Sequence, residues 1–198
     1  MSKIKPMHII TVVLAAAMVL VLRYVIFPAK FLPGEFTEAR IKGSEVAQKI
    51  VVLSRENLAL LDKVATYDEQ NNHPEALIAI SNALIKNREN QTQAIRLAQQ
   101  LTVMAEQAPR IRPVGASEIA TEAVASEVTL VSRLITYNDY LNQLFETLKV
   151  KFDKPWVSYL DGQVNDLVNK TNDEAQAINE LNKKFIASMA QLDVIFGK

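Results

Sequence analysis

The chain has 198 residues, of which 49% are hydrophobic and 22% are charged. Lys and Arg together number 22, Asp and Glu also number 22, and the sequence contains no cysteine. This balance argues against nucleic acid as a partner, because nucleic-acid-binding proteins usually carry a basic excess that neutralises phosphates. Without cysteine, these residues form no disulfide, no thiol nucleophile and no Cys-ligated zinc site.

The scarcity of turn-forming residues indicates long elements. Only 5 Gly and 7 Pro are present, which is too few for many tight turns. Ala, Leu, Gln, Glu and Asn are abundant, so these long elements are expected to be helices. No strand-like alternation of any length interrupts the helical pattern. The predicted fold class is therefore all-α.

The beginning of the chain combines a basic tail with a hydrophobic segment. The tail covers 1–6, the apolar segment covers 7–28, and a linker with a Pro-Gly pair covers 29–35. About 20 apolar residues cross the ~30 Å of hydrocarbon in a bilayer, so 7–28 is predicted to be a transmembrane anchor. Arg23, near the end of this segment, can extend its side chain to lipid headgroups.

A cleaved signal peptide is the alternative for this segment. The best cleavage site, at Ala15-Ala16-Ala17, leaves too short a hydrophobic region before it and a very apolar end after it. An uncleaved signal anchor is therefore favoured, although basic residues on both sides leave its orientation undecided. Because long domains translocate largely regardless of charge, we expect a single-pass membrane protein with an extracytoplasmic rather than a cytoplasmic bulk domain. Membrane lipid would then be one partner.

Two similar Pro turns divide the rest of the chain. They are "NNHPEA" at 71–76 and "FDKPWV" at 152–157, and Pro in a first turn starts a new helix well. The predicted helices lie at 36–71, 74–108, 117–152 and 155–196. Short connections between long helices imply antiparallel neighbours. We therefore predict an elongated antiparallel four-helix bundle at 36–198, made of hairpin 36–108, loop 109–116 with Ser117 as the next cap, and hairpin 117–197.

Apolar residues spaced alternately by three and four mark the buried faces of these helices. The stripe of the first helix comprises Val46, Ile50, Leu53, Leu60, Val64 and Tyr67, with Asn57 as an exception. The third helix carries Leu130, Leu134, Tyr137, Leu141, Leu144 and Leu148, and its face is widened by Val124, Val128, Val131, Ile135 and Phe145. The second helix has the weakest stripe, in which Asn87 follows Leu84.

Residues suited to catalysis are few. His8 falls in the predicted anchor and His73 at a turn, so no pair of His residues can form a metal site or a catalytic dyad. The sequence has no Glu-x-x-His, which removes the di-iron bundle class, and its glycines are too scattered for a phosphate-binding loop. We therefore expect no enzymatic activity, no cofactor and no metal.

One polar layer is predicted at mid-height in the bundle. Asn57 and Asn87 lie 15 residues on either side of position 72, and Asn138 lies 15 residues before Asp153. The corresponding level of the last helix falls near Thr171. In one interpretation these four side chains pair and fix the register of the helices, at some cost in stability. In the other they line a pocket for a small polar ligand.

The two ends of the bundle offer further candidate sites. Aromatic and His side chains surround the Pro turns at the distal tip, where they either close the core or bind a partner protein. These tip residues are Tyr67, His73, Phe152, Trp156 and Tyr159. At the other end, Arg110 and Arg112 would lie near the bilayer and could contact anionic headgroups.

Two functions follow from this organisation. The first is a non-enzymatic, membrane-anchored scaffold, spacer or adaptor in a cell-envelope assembly, with a protein partner that the sequence does not identify. The alternative is a sensory or small-ligand-binding bundle that uses the polar layer as its pocket. A chemoreceptor-type sensor would need a second span after the bundle, and the sequence ends at Lys198 without one, which favours the scaffold.

Overall fold

Four long helices make up almost all of the described chain in the computed structural model, which describes residues 30–154 and 159–197. They are α1 (Gly34–Glu69), α2 (His73–Gln107), α3 (Val114–Asp153) and α4 (Tyr159–Phe196). At ~1.5 Å per residue each helix is about 52–60 Å long. No strand is present in the described ranges; Phe31 and Arg112 form one isolated antiparallel bridge. The prediction of an all-α fold is confirmed.

The turn between α1 and α2 forms at the first Pro motif. Asn71 adopts a left-handed conformation with φ of 56°, which Asn tolerates better than most residues. The Asn72 backbone N–H donates to the Tyr67 carbonyl at 2.8 Å and closes the turn. α2 then begins at His73 with Pro74 in its first turn. The second motif reaches Pro155, which lies outside the described residues.

The connection between α2 and α3 is shorter than the predicted loop 109–116. A single 3₁₀ turn, Ala108–Arg110, follows α2 directly, and α3 begins at Val114, three residues before Ser117. The Ser117 hydroxyl donates to the Ala108 carbonyl at 2.9 Å. Ser117 therefore ties the new helix back to the turn and does not cap it.

The helices pack in chain order, α1 on α2, α2 on α3 and α3 on α4. In the first hairpin Gly43 lies against Gln100 and Ser54 bonds to Asn90. In the second Arg133 pairs with Glu174 and Lys151 with Asp161. In both, residue numbers rise along one helix as they fall along the other, so the helices run antiparallel. Every member of the Leu130–Leu148 stripe predicted for α3 is buried, as are Val124, Val131 and Phe145. Val128 and Ile135 were expected to widen this face, but they are 48% and 39% exposed. They lie beyond the arc of α3 that its two neighbouring helices cover.

Small residues let α2 approach its neighbours closely. Ala76, Ala79, Ala83 and Ala94 are fully or almost fully buried, which explains why a search for large apolar residues finds only a weak stripe on this helix. On α1, Gly43 faces α2, where an added Cβ would meet the Gln100 Cβ and the Leu97 Cδ1 at 3.6 Å.

Replacing Gly43 with Ala should stabilise the protein by about 0.5–1 kcal/mol, because Gly in a helix interior is unfavourable relative to Ala. The contacts at 3.6 Å are ordinary van der Waals distances, so the methyl group fits without displacing α2. Chemical denaturation measures the change. Gly162→Ala in α4, where no atom of the described chain lies within 4 Å of the added Cβ, is the matched control and should shift stability in the same direction. If Gly43→Ala destabilises the protein while Gly162→Ala stabilises it, then α1 and α2 lie closer together at Gly43 than in this structure.

The predicted membrane location requires a correction. None of the helices in the described part of the chain is long and apolar enough to cross a membrane. This finding contradicts the predicted single-pass location and the extracytoplasmic placement that depended on it. The predicted anchor at 7–28 and its Arg23 lie outside the described residues.

Candidate functional site

A groove separates the first helix from the last. Consecutive helices pack closely, whereas α1 and α4 approach each other much less. The space between α1 and α4 is a cavity of about 700 Å³. Side chains between Arg40 and Arg55 form one wall, side chains between Asn182 and Asp193 form the other, and α2 and α3 form the floor.

The floor of the groove is apolar except for one carboxyl group. From α2 come Leu97, Leu101 and Met104, and from α3 comes Glu127. Glu127 is only 5% exposed, and its Oε2 atom has no hydrogen-bond partner among the described residues. A carboxyl group so placed is costly to ionise, because burial removes water without supplying a compensating donor.

This burial raises the pKa of Glu127 to about 7, and no neighbouring charge within the described chain contributes to the shift. Desolvation disfavours the charged form of an acid, which explains the direction. The carboxyl group therefore changes charge close to neutral pH. A group with a perturbed pKa beside a cleft is a candidate for function as well as a structural cost.

An ion pair joins the two walls at one end of the groove. Arg40 Nη1 donates to Asp193 Oδ1 at 2.6 Å, and Arg40 Nη2 donates to Asp193 Oδ2 at 2.7 Å. The hydrogen bonds to Asp193 raise the pKa of Arg40. Two parallel charge-assisted bonds fix the relative position of the two groups, so this pair holds α1 and α4 together at the end of the groove where α1 begins.

The predicted polar layer is inside the bundle. Asn57, Asn87 and Asn138 are each no more than 1% exposed and Thr171 is 7% exposed. Asn87 Nδ2 donates to the Asn138 carbonyl oxygen at 2.7 Å. Asn90, which sequence reasoning did not include, donates to Asn138 Oδ1 at 3.2 Å and to Ser54 Oγ at 3.2 Å. Amide hydrogen bonds therefore cross from α2 to both of its neighbours.

Two members of the predicted layer do not join this network. The Thr171 hydroxyl donates to the Leu167 carbonyl of its own helix at 2.7 Å. Both polar side-chain atoms of Asn57 lack a hydrogen-bond partner among the described residues. The Oδ1 atoms of Asn87 and Asn90 share that condition. Such orphaned atoms are uncommon in protein interiors, so this layer costs stability.

The distal tip is partly closed by its own aromatic residues. Phe152 is buried, and the His73 ring packs on it with the ring centroids 5.3 Å apart. Tyr67 is half-buried against the core. Trp156 and the side chain of Tyr159 lie outside the described residues. The described part of the tip therefore completes the core, and binding of a partner there stays a prediction.

The two arginines predicted to face a bilayer bond to their own part of the chain. Arg110 Nη1 donates to Gln107 Oε1 at 2.8 Å. Arg112 Nη1 donates to the Pro109 carbonyl at 2.9 Å and the Ile111 carbonyl at 2.8 Å. Both side chains help to order the connection between the hairpins. The headgroup contact predicted together with the anchor has no support in these bonds.

Sequence reasoning missed Glu127, although a signal for it exists. Glu127 lies four residues after Ala123 and three before Leu130, both of which are buried. Its position within the apolar stripe of α3 therefore predicts burial, just as the position of Asn57 does on α1. The groove has no comparable signal in the sequence, because its width depends on the distance between α1 and α4 in the folded protein.

Among the described residues, no three His, Cys, Asp or Glu side chains lie close enough together to hold a metal ion. The groove with Glu127 is therefore the best-defined candidate site. No protein-family model, curated protein or solved structure matches the chain.

Proposed function

We propose that the protein is a non-catalytic binding protein that takes a small amphipathic molecule into the groove between α1 and α4. One observation carries the proposal: a cavity of about 700 Å³ has a largely apolar lining and one buried carboxyl group, Glu127, in its floor. Sites for small molecules typically enclose about 300–1,000 Å³ and combine apolar walls with a few polar groups. The groove meets both criteria.

The site differs from the pocket expected at mid-height. None of Asn57, Asn87, Asn138 and Thr171 is among the residues that line the cavity. Asn57 comes only two residues after Arg55, at the end of the groove wall, so the polar layer adjoins the site. In this proposal the layer sets the register of the helices that form the groove, as buried amides do in coiled coils.

Filling the groove tests the proposal. Ala47 lines the cavity on α1, and Ala47→Trp places a large ring in the space. We expect the full chain to bind a neutral solvatochromic dye such as Nile red, with a blue shift in its emission. Ala47→Trp should weaken this binding by about tenfold or more, because the ring occupies volume that an apolar ligand needs.

Ala125→Trp is the matched control, because Ala125 is exposed on α3 and does not line the cavity. Its dye affinity should equal that of the unmodified chain. If the unmodified chain does not bind the dye, or if both Trp variants bind it equally well, the groove is not a ligand site.

An adaptor function remains the second candidate, and the exposed rim of the groove favours it. Val51, Val52 and Ile186 line the cavity and are 47%, 53% and 57% exposed. A partner protein could cover this rim. A photocrosslinker placed at Val52 tests the adaptor function: a crosslinked protein of defined mass, absent when the probe is at Ala125, would support it, and crosslinking to none would exclude this rim.

A further inference from the structure

The chemistry of the groove selects a class of ligand. Three features bear on the choice: the carboxyl group in the floor, the charged groups on the walls and the apolar surface between them. This inference depends on the groove being a ligand site, as proposed above, and the experiment below separates the two.

One oxygen of the carboxyl group in the floor receives no hydrogen bond from the described residues. Glu127 Oε2 is buried and has no hydrogen-bond partner among the described residues. The cations among the described lining residues are Arg40 and Arg55, at opposite ends of the α1 wall. Arg40 directs two guanidinium nitrogens at Asp193, 2.6 and 2.7 Å away. Arg55 lies eight residues from Ala47 along α1, about 12 Å at ~1.5 Å per residue, so it too is displaced from the middle of the groove.

A ligand cation that carries N–H groups would best complement this carboxylate. Charge-assisted hydrogen bonds are roughly twice as strong as neutral ones, and a buried charge is tolerated when it is both paired and hydrogen-bonded. A ligand carboxylate would be repelled by Glu127. A hydroxyl could donate one hydrogen bond but would leave the charge unbalanced.

The remaining lining selects the body of the ligand. Leu97, Leu101 and Met104 lie beside Glu127 in the floor, and Phe185 and Met189 face them from α4. These side chains offer dispersion contacts and no strong hydrogen bonds. Flexible Met residues adapt to irregular apolar shapes, which suits an alkyl chain or an aromatic ring.

We propose that the groove between α1 and α4 binds an amphipathic primary amine, with its ammonium group on the Glu127 carboxylate and its apolar body over Leu101, Met104 and Phe185. The open side of the groove lets the ligand enter between the two walls, and the Arg40–Asp193 ion pair closes one end.

Competition with the bound dye tests this class directly, using octylamine, octanol, octanoate and octyltrimethylammonium on the full chain at pH 8. Octylamine should displace the dye at a concentration about tenfold or more below those of the other three, since only it combines a cation with N–H donors. In Glu127→Gln, with each concentration compared at that variant's own dye affinity, the advantage of octylamine over octanol should vanish. Glu122→Gln, on the exposed surface of α3, should leave that advantage unchanged.

The outcomes separate the two proposals. If octylamine and octanol compete equally in the unmodified chain, or if octylamine keeps its advantage in Glu127→Gln, the amine class is wrong and the groove still binds apolar ligands. An equal effect of octyltrimethylammonium and octylamine would show that charge alone matters and would overturn the primary amine. If the dye itself does not bind, the groove proposal fails with it.

Discussion

The free energy of unfolding should fall as the pH rises from about 4.5 to about 8. The part of this fall that is due to Glu127 should be absent in Glu127→Gln. The folded-state pKa of Glu127 is about 7, against 4.5 for an ordinary Glu. Below the lower value the carboxyl group is protonated in both states. Between the two values the unfolded chain loses the proton first, so the stability of the folded state declines until the folded pKa is passed. The difference between the folded and unfolded pKa values corresponds to a loss of about 3 kcal/mol of stability once the pH is above neutral.

Urea denaturation of both chains at several pH values measures this effect. The other charged groups that line the groove are Arg40, Arg55 and Asp193, and they are the same in both chains, so the difference between the two profiles isolates Glu127. At pH 5 the two stabilities should be close, and at pH 8 Glu127→Gln should be the more stable. Parallel profiles would show that Glu127 ionises as easily in the folded protein as in the unfolded one.

Two amides of the polar layer should respond in opposite directions to replacement by Leu. Asn57→Leu should stabilise the protein by about 1–3 kcal/mol, since it removes two buried polar atoms that lack partners in the described chain. Asn90→Leu should destabilise it by about 1 kcal/mol. The Asn90 Nδ2 atom donates to Asn138 Oδ1 and to Ser54 Oγ, both at 3.2 Å, and loss of both bonds outweighs the removal of its own unpaired Oδ1 atom.

Guanidinium denaturation compares these variants with Asn169→Leu, which replaces an exposed Asn of α4. That control should change stability by no more than about 0.5 kcal/mol. If Asn57→Leu is strongly destabilised, Asn57 must make hydrogen bonds that its surroundings in this structure do not show. A neutral Asn90→Leu would mean that the two hydrogen bonds of Asn90 contribute no more stability than its unpaired Oδ1 atom costs.

The helical architecture was largely predictable because its signals are local. Asn71 and Pro74 mark the first reversal through their own backbone preferences, and the stripe from Leu130 to Leu148 identifies the buried face of α3. Helix ends were less accurate: α3 begins at Val114, ahead of the predicted Ser117 cap. The contact of Ser117 with Ala108 depends on tertiary structure, which a search for capping residues does not see.

The candidate site was predictable only in part. Burial of Asn57 and Asn87 followed from their places in apolar stripes, and Glu127 lies in a stripe of the same kind. The hydrogen-bond partners did not follow, because the stripes do not show that Asn90 turns toward Asn138. The groove was not predictable for a different reason: matching the four helices by height assumes that α1 closes against α4, and a sequence pattern carries no measure of that distance.

The helix order has a mechanical consequence. The two hairpins meet along α2 and α3, while α1 and α4 lie on the outer sides of this contact. A small rotation of one hairpin about the contact would therefore move α1 relative to α4 by a larger distance. Hydrogen bonds from the Asn87 and Asn90 side chains to Asn138 lie at the contact between α2 and α3, whereas the Arg40–Asp193 pair joins α1 to α4. Both sets of bonds would oppose such a rotation.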